Sequence, residues 1–171
     1  MNIHTNRLII TDFNINMAES VHLGSLDDDN RRFVPDEVFE TVEDAAETLD
    51  FLIGCYSTGE GPQVYPVLLQ DQTYIGYVQA IPLDNAEWEV GYHISGSYTG
   101  QGYAAEAVSA FLPVIMKKLG ISSINGVCLA ENIASVKVME RCGFEKLYEG
   151  KGSYQGQERN ICKFVFKLQN A

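Results

Sequence analysis

The sequence predicts an α+β fold: one domain over residues 1–171, built on a mixed, mostly antiparallel central sheet of about six to seven strands flanked by about four helices. Three strand-like segments at 63–69, 73–81 and 87–94 follow one another closely, which indicates an antiparallel meander because short connections join antiparallel strands. Helical periodicity lies on both sides of this meander. The order of elements is therefore β-α-α-β-β-β-α-β-α-β-β.

The part of the chain before the meander predicts one strand and two helices. Residues 7–13 (RLIITDF) are predicted as a strand and residues 16–26 as a helix. Thr41, with Asp44 three positions later, resembles a capping box and predicts a helix over 42–57. One face of that helix is apolar: Ala45, Leu49, Leu52, Ile53 and Tyr56. Residues 27–39 between the helices are predicted as a polar and aromatic loop.

The part after the meander alternates helices and strands. An apolar stripe predicts a helix over 102–119, and residues 122–130 and 133–142 are predicted as a strand and a short helix. The last two strands are predicted at 144–149 and 160–168, joined by a glycine-rich loop.

Composition and charge limit the class of function. The net charge of −11 would repel a nucleic acid, and no run of about 18 apolar residues predicts a membrane span. The first residues, MNIHTNRLII, lack the pattern of a secretory signal, so a cytoplasmic protein is expected. The cysteines are scattered with no C-x-x-C pair (Cys55, Cys128, Cys142, Cys162), so no metal site is expected.

Ten of the acids lie between Asp27 and Asp50, against only Arg31 and Arg32. One interpretation is a solvated helix face with an adjoining loop. The other is an acidic rim that attracts a cationic partner. The sequence leaves both open.

A glycine cluster at 95–107, SGSYTGQGYAAEA, lies between the last strand of the meander and a helix. A strand, a glycine-rich turn and a helix N-terminus together form an anion site. The Walker P-loop is excluded because no lysine follows Gly102. The dinucleotide fingerprint G-x-G-x-x-G/A matches Gly100, Gly102 and Ala105, but it belongs in a parallel βαβ unit rather than after an antiparallel meander.

The segment 99–104 (TGQGYA) resembles the R/Q-x-x-G-x-G/A motif of the GNAT N-acetyltransferase superfamily. The stretch EVGYHISGSYTGQGYAAEAV is similar to the branch that contains the ribosomal-protein N-terminal acetyltransferases. Three further segments are similar to the same branch: Asn132-x-x-Ser135 with the following MERCGF, the opening TNRLIITDF, and FVPDEVFETVEDA. The resemblance covers nearly the whole chain and implies a GNAT-like fold whose glycine turn binds the pyrophosphate of acetyl-CoA.

This resemblance implies a set of cofactor-binding residues on the strand, the turn and the next helix. One position departs from the motif, since Thr99 stands where Arg or Gln is usual and a side-chain contact to phosphate is expected to be lost. The implied cofactor-binding residues are His93, Ile94, Thr99, Gly100, Gln101, Gly102, Tyr103, Ala104 and Asn132.

The strand at 87–94 alternates, with Val90 and Tyr92 on the predicted core face and Glu89 and His93 on the other. The resemblance implies that Glu89 is the base that takes the proton of the amine, and that the N–H of His93 contacts the acetyl group. The alternative for Glu89 is a solvated acid on the strand face, and for the His93 ring a structural role.

For the departing thiolate, the resemblance implies that Asn132 contacts the pantetheine arm and that Ser135 is the acid. Many superfamily members have a tyrosine seven residues after this asparagine, where this chain has Met139. The alternative for Ser135 is a helix serine bonded to its own backbone.

The function implied is an acetyl-CoA-dependent acetyltransferase acting on a primary amine: a protein N-terminus, or a small amine such as a polyamine, an amino-acid derivative or an antibiotic. The alternative is a non-catalytic acyl-CoA-binding sensor or interaction module. Residues 31–39 and 150–156 are expected to line the acceptor pocket, and the acceptor is expected to be cationic. The protein is expected to be a monomer or a homodimer and to bind no metal, nucleic acid or membrane.

Overall fold

The computed structural model describes residues 1–168 and contains one eight-stranded sheet in the order β1-β2-β3-β4-β5-β6-β8-β7. The strands are β1 (Asn2–His4), β2 (Leu8–Thr11), β3 (Gln63–Leu69), β4 (Tyr74–Pro82), β5 (Trp88–Ile94), β6 (Ser123–Leu129), β7 (Glu145–Tyr154) and β8 (Gln157–Lys167). The helices are α1 (Ala18–Ser25), α2 (Asp28–Phe33), α3 (Val42–Thr58), α4 (Tyr103–Leu119) and α5 (Ile133–Arg141). Single 3-10 turns lie at 15–17, 35–37 and 96–98.

The α+β class and the mostly antiparallel sheet are confirmed, and two element counts are corrected. The sheet has eight strands, because residues 2–4 add a short edge strand that pairs with β2. The described chain has five α-helices, because residues 28–33 of the predicted loop form α2. The side chain of Asp27 accepts a hydrogen bond from the Asn30 amide and so caps this helix.

Helices cover both faces of the sheet. Val64 packs in a cluster with Ala45, Leu49 and Leu52 of α3, whereas its neighbour Tyr65 packs in the cluster that contains α4. Because adjacent strand residues point to opposite faces, α3 and α4 lie on opposite sides of the sheet. We call these the α3 face and the α4 face.

The central sheet opens between β5 and β6. These two strands run parallel, and their described pairing covers only Glu89 with Asn125 and Val90 with Gly126. On its other side β5 pairs with β4 along its whole length. The strands therefore separate after Val90, which leaves one edge of the second half of β5 without a strand partner.

The predicted glycine-rich loop at 150–156 is mostly strand. β7 continues to Tyr154, and a tight turn at Gln155 (φ 50°) and Gly156 (φ 75°) leads into β8. Positive φ at both central positions is the requirement of a type I′ hairpin turn. A Cβ on Gly152 would lie 2.4 Å from Cδ1 of Ile161, so that glycine leaves room for a side chain of the partner strand.

Among residues 1–168, no helix is both long and apolar enough to cross a membrane.

Candidate active site

A cleft of about 1030 Å³ opens where β5 and β6 separate. It is lined by β4 and β5, by the glycine turn and the start of α4, by α5, and by segments around residues 29–37 and 153–155. The predicted site residues that line it are Glu89, His93, Ile94, Thr99, Gly100, Gly102, Tyr103, Ala104, Asn132 and Ser135. Gln101 is the predicted residue that is not part of this lining.

The glycine turn has the backbone that its sequence indicates. Gly100 (φ 75°) and Gly102 (φ 82°) are both in the left-handed region, and Gly102 is the N-cap of α4. Glycine adopts this region without the strain that a Cβ imposes. No side chain caps the start of α4, so its first amides are available to an anion in the cleft.

Arg7 supports this turn from the strand β2 side. Its Nη1 donates to the Gln101 carbonyl at 2.9 Å, its Nε donates to Oε2 of Glu106 at 2.7 Å, and its guanidinium stacks over the Tyr103 ring at 4.4 Å. Gln101 thus contributes its carbonyl to the turn. The sequence analysis did not identify Arg7, because the contact joins segments far apart in the chain.

Thr99 is exposed, and its hydroxyl donates to the Gly96 carbonyl at 2.8 Å. The hydroxyl therefore completes the preceding 3-10 turn. This geometry is compatible with a turn in which main-chain amides, rather than the side chain at position 99, face the anion site.

On the α3 face of β5, the residues Glu89, Gly91 and His93 lie opposite Ile81, Gln79 and Tyr77 of β4 in the antiparallel ladder. Burial raises the pKa of Glu89, although the nearby Lys163 lowers it. A carboxylate with a raised pKa is a stronger proton acceptor than one in water. Glu89 is therefore half-buried in the cleft, and the interpretation as a fully solvated surface acid does not fit.

The main chain of β5 corrects one expectation. Ser95 donates its amide to the Ile75 carbonyl, and a Cβ on Gly76 would lie 2.0 Å from the His93 carbonyl. In an antiparallel ladder the hydrogen-bonded pairs alternate, so His93 exchanges its bonds with Tyr77. The His93 amide therefore faces β4, and the amide of Ile94 faces the opening.

The His93 ring lies beside Asp27, with Nε2 at 3.6 Å from Oδ2. Burial lowers the pKa of His93, although Asp27 raises it, so the ring is largely uncharged at neutral pH. Asp27 also accepts hydrogen bonds from the Gly96 amide (2.9 Å) and the Asn30 amide (2.7 Å). Asp27 thus connects the start of α2 to the glycine turn.

On the α4 face, the Tyr92 hydroxyl lies 2.9 Å from Oγ of Ser135 and donates to the Ser135 carbonyl at 3.1 Å. Oδ1 of Asn132 accepts the Ser135 amide at 3.1 Å and caps α5. Burial raises the pKa of Tyr92, although its hydrogen bond with Ser135 lowers it. The sequence analysis assigned Tyr92 only to the core face and missed this hydroxyl pair.

Glu37 is a second cleft carboxylate that the sequence analysis did not identify individually. Burial raises its pKa to about 7, a hydrogen bond from Gln79 lowers it, and Asp36 raises it. Segment 31–39, which contains Glu37, was expected to line the acceptor pocket. The sequence gives no sign that Glu37 itself packs against Gln79 of β4. Two acids of the stretch, Asp29 and Glu37, line the cleft, whereas the acids of α3 are exposed (Glu43, Asp44, Glu47, Asp50).

Segment 27–37 crosses the opening and contacts its far side. The Tyr154 hydroxyl donates to the Phe33 carbonyl at 3.3 Å, and Arg32 lies 3.6 Å from Glu131, which also pairs with Arg159 at 3.2 Å. Within residues 1–168 there is no group of three or more His, Cys, Asp or Glu side chains that could hold a metal.

A helix N-terminus that is open to an anion and adjoins a half-buried strand carboxylate is the arrangement expected of an acyl-CoA-dependent transferase. Comparison with known proteins agrees. The family profile described as "Acetyltransferase (GNAT) domain" matches residues 7–145. The chain belongs to this family, is an acyltransferase, and uses acetyl-CoA as its cosubstrate.

A curated relative, the uncharacterised N-acetyltransferase YnaD of Bacillus subtilis (strain 168), is 29% identical over 148 residues, which cover 85% of this chain and 84% of that protein. The crystal structure of a GNAT-family acetyltransferase from Bacillus anthracis is similar, with a TM-score of 0.83, 25% identity and 98% of each chain covered. The ribosomal L7/L12 α-N-protein acetyltransferase RimL, solved in complex with coenzyme A, shares the fold with a TM-score of 0.82 at 17% identity, over 98% of each chain.

Proposed function

We propose that this acetyltransferase moves the acetyl group of acetyl-CoA to a primary amine that reaches the cleft as a cation. The observation that carries the proposal is the position of Glu89, a half-buried carboxylate on the α3 face of β5 with the separated edge of the sheet beside it. A protonated amine must lose a proton before it attacks, and a carboxylate at this position can accept that proton.

The sheet divides the cleft into two sides, which supports assigning the cofactor to one side and the acceptor to the other. The glycine turn, Ile94 and Asn132 line the side that we assign to the cofactor, with the amides at the start of α4 directed to the pyrophosphate. Glu89 lies on the α3 face, which we assign to the acceptor. The thioester then lies at the opening between the two faces.

The residues act on the reaction as follows. Glu89 takes a proton from the ammonium group, directly or through water. The Ile94 amide donates to the thioester carbonyl, in place of the His93 amide. As the C–N bond forms and the C–S bond breaks, Ser135 gives its proton to the thiolate sulfur, and Tyr92 stabilises the serine oxygen with its own hydroxyl. The nitrogen releases its second proton to water, and Ser135 takes a proton from water, so that the serine hydroxyl is restored.

The names of similar proteins suggest classes of amine. One structural neighbour is named as a ribosomal-protein-S5-alanine acetyltransferase from Vibrio fischeri, and a curated relative from Aspergillus fumigatus as an FsC-acetyl coenzyme A-N(2)-transacetylase. The first name indicates an alanine of a ribosomal protein as the acceptor, and the second a nitrogen designated N(2). We therefore place both protein N-termini and small amines among the candidate acceptors.

The test is a screen of amine acceptors with acetyl-CoA, read by mass spectrometry and by release of free thiol. We expect acetylated amines and a rate that rises with pH as Glu89 and the amine lose their protons. Glu89→Gln keeps the shape of the side chain and removes the base, so kcat should fall by about a hundredfold or more. The affinity for acetyl-CoA should change little.

A matched control is Glu87→Gln, which makes the same change at an exposed position next to the same strand. This variant should turn over at the wild-type rate. A screen whose best acceptors carry no amine, or equal rates for wild type and Glu89→Gln, would refute the proposal.

A further inference from the structure

A glycine on the reacting face of β5 makes room for a side chain of the next strand. A Cβ on Gly91 would lie 2.6 Å from Nε2 of Gln79, so the Gln79 carboxamide occupies the space over this glycine. Gly91 lies between Glu89 and His93 on the same face. Gln79 is therefore packed against the acceptor side of the cleft, where it is 9% exposed.

The Gln79 carboxamide in turn contacts Glu37. Its Nε2 donates to Oε1 of Glu37 at 3.4 Å, a long hydrogen bond that joins β4 to the 3-10 turn at 35–37. Gly91, Gln79 and Glu37 thus form a stack that rises from β5 to the segment crossing the cleft. Because a strand advances about 3.3 Å per residue, the base of this stack is about 7 Å from Glu89 along the strand.

Glu37 has no cationic partner within the described chain. None of the ion pairs among residues 1–168 includes it, and the Gln79 amide is its one described side-chain hydrogen-bond donor. Glu37 is half-buried, and a carboxylate that has lost much of its hydration and has no counter-charge is unfavourable unless a ligand supplies the charge. This carboxylate lines the cleft, so a ligand can reach it.

Three aromatic side chains, Phe33, Tyr77 and Tyr154, line the same cleft as the two carboxylates. The Tyr154 hydroxyl donates to the carbonyl of Phe33 in the segment that carries Glu37, and Tyr77 is paired across the ladder with His93 on the face of β5 that carries Glu89. Aromatic faces and carboxylates together favour an organic cation.

We propose that Glu37, positioned by Gln79 over Gly91, binds a second cationic nitrogen of the acceptor while Glu89 receives the proton of the reacting amine. The proposal rests on the proposed function above and specifies its acceptor: an amine with a further ammonium group a few bonds away. Glu37 is then a specificity-determining residue, with no part in the proton transfer itself.

The experiment compares putrescine, a four-carbon diamine, with the amino alcohol in which a hydroxyl replaces one ammonium group. Binding of each to the protein with coenzyme A is measured by calorimetry at about pH 8, where Glu37 is largely ionised. Wild type should bind the diamine about tenfold or more tightly than the amino alcohol. Glu37→Gln should lose that preference, and Glu37→Asp, which keeps the charge on a shorter side chain, should retain part of it.

The matched control is Asp36→Asn, which removes the same charge from an exposed neighbour outside the cleft lining and should keep the preference. Equal binding of the two amines by wild type, or an unchanged preference in Glu37→Gln, would overturn the proposal. Turnover is measured in parallel on the full amine screen. Acetylation of amines without any effect of Glu37 would refute this inference alone, whereas no acetylation of any amine would refute the proposed function.

Discussion

At the scale of single residues, the raised pKa of Glu37 predicts a cost to stability. The pKa is about 7 in the fold against an ordinary value of 4.5, so the folded chain binds more protons than the unfolded chain between these values. Stability therefore falls as pH rises through this window. Above it, the full cost is roughly 3 kcal/mol at about 1.4 kcal/mol per pKa unit.

Glu37→Gln should remove this dependence. Its free energy of unfolding, measured by denaturant titration, should exceed that of wild type at about pH 8 and differ little at about pH 5. Glu47→Gln, at an exposed position of α3, serves as the control for loss of one negative charge. A variant less stable than wild type at the higher pH would show that the carboxylate is stabilised in the fold.

The hydroxyl pair of Ser135 and Tyr92 gives a second prediction. Ser135→Ala should lower kcat by about tenfold or more, with a smaller fall for Tyr92→Phe, because the tyrosine acts through the serine. The double variant should be no slower than Ser135→Ala, since the two hydroxyls work as one unit. Release of free thiol measures these rates.

Ser109→Ala is a suitable control because the hydroxyl of this α4 serine donates a hydrogen bond to Sγ of Cys142 and the residue is outside the cleft lining. Additive losses in the double variant would mean that the two hydroxyls act independently. Wild-type rates in all variants would assign the pair a structural role.

Some of these residues could be found from sequence and others could not. Glu89 follows from strand alternation and the family motif, both local patterns. Tyr92 lies on the same face as the core residues of β5, and its contact with Ser135 depends on how α5 packs against that strand. The position of Glu37 depends on its hydrogen bond with Gln79, and no local sequence pattern predicts a contact between residues 42 positions apart.

At the scale of elements, the glycine turn predicts loss of cofactor binding on substitution. Gly102→Asp adds a side chain and a negative charge at the N-terminus of α4. Affinity for acetyl-CoA should fall by about tenfold or more, or roughly 1.4 kcal/mol. Calorimetry measures this change directly.

Gly120 provides the control at the opposite end of the same helix. It also has a left-handed backbone (φ 68°), and it is not part of the cleft lining. Gly120→Asp should carry a similar backbone strain and leave acetyl-CoA affinity unchanged. Equal affinities for Gly102→Asp and wild type would remove the turn from the binding site.

Elements with strong local signals were predicted to within about one residue, as the capping box of α3 illustrates. Short elements were missed for a physical reason. The helix α2 has six residues, too few to be stable alone, and depends on the Asp27 cap and on contacts across the cleft. The strand β1 has three residues and exists through its pairing with β2.

At the scale of the whole molecule, the charge distribution predicts opposite effects of salt on acceptors of different charge. The net charge is −11, and the acceptor side of the cleft carries Asp29, Glu37 and Glu89. For a dicationic acceptor, kcat/KM should fall as salt is raised from about 0.02 to 0.3 M, because screening weakens the attraction. A monocationic acceptor should show a shallower fall, and an increase with salt for the dication would contradict the assignment.

The split of the sheet is the large-scale feature that sequence reasoning did not predict. Antiparallel neighbours in the meander follow from short connections, whereas the parallel contact of β5 with β6 joins strands that are separated by α4. Where such a pairing stops is decided by packing on both faces. The location of the cleft is therefore a tertiary property, even though its glycine turn is readable in the sequence.

The segment 27–37 that crosses the opening has an evolutionary consequence. It carries Glu37 on the side that we assign to the acceptor, and its contacts with the rest of the site include those of Asp27 with Gly96 and His93 and that of Phe33 with Tyr154. The residues that we propose for acetyl transfer are on β5 and α5. Exchange of this segment among homologues, with its anchoring contacts kept, would give enzymes that catalyse the same reaction on different amines. Recombination at residues 27–37 is therefore a route to new substrates that leaves β5 unchanged.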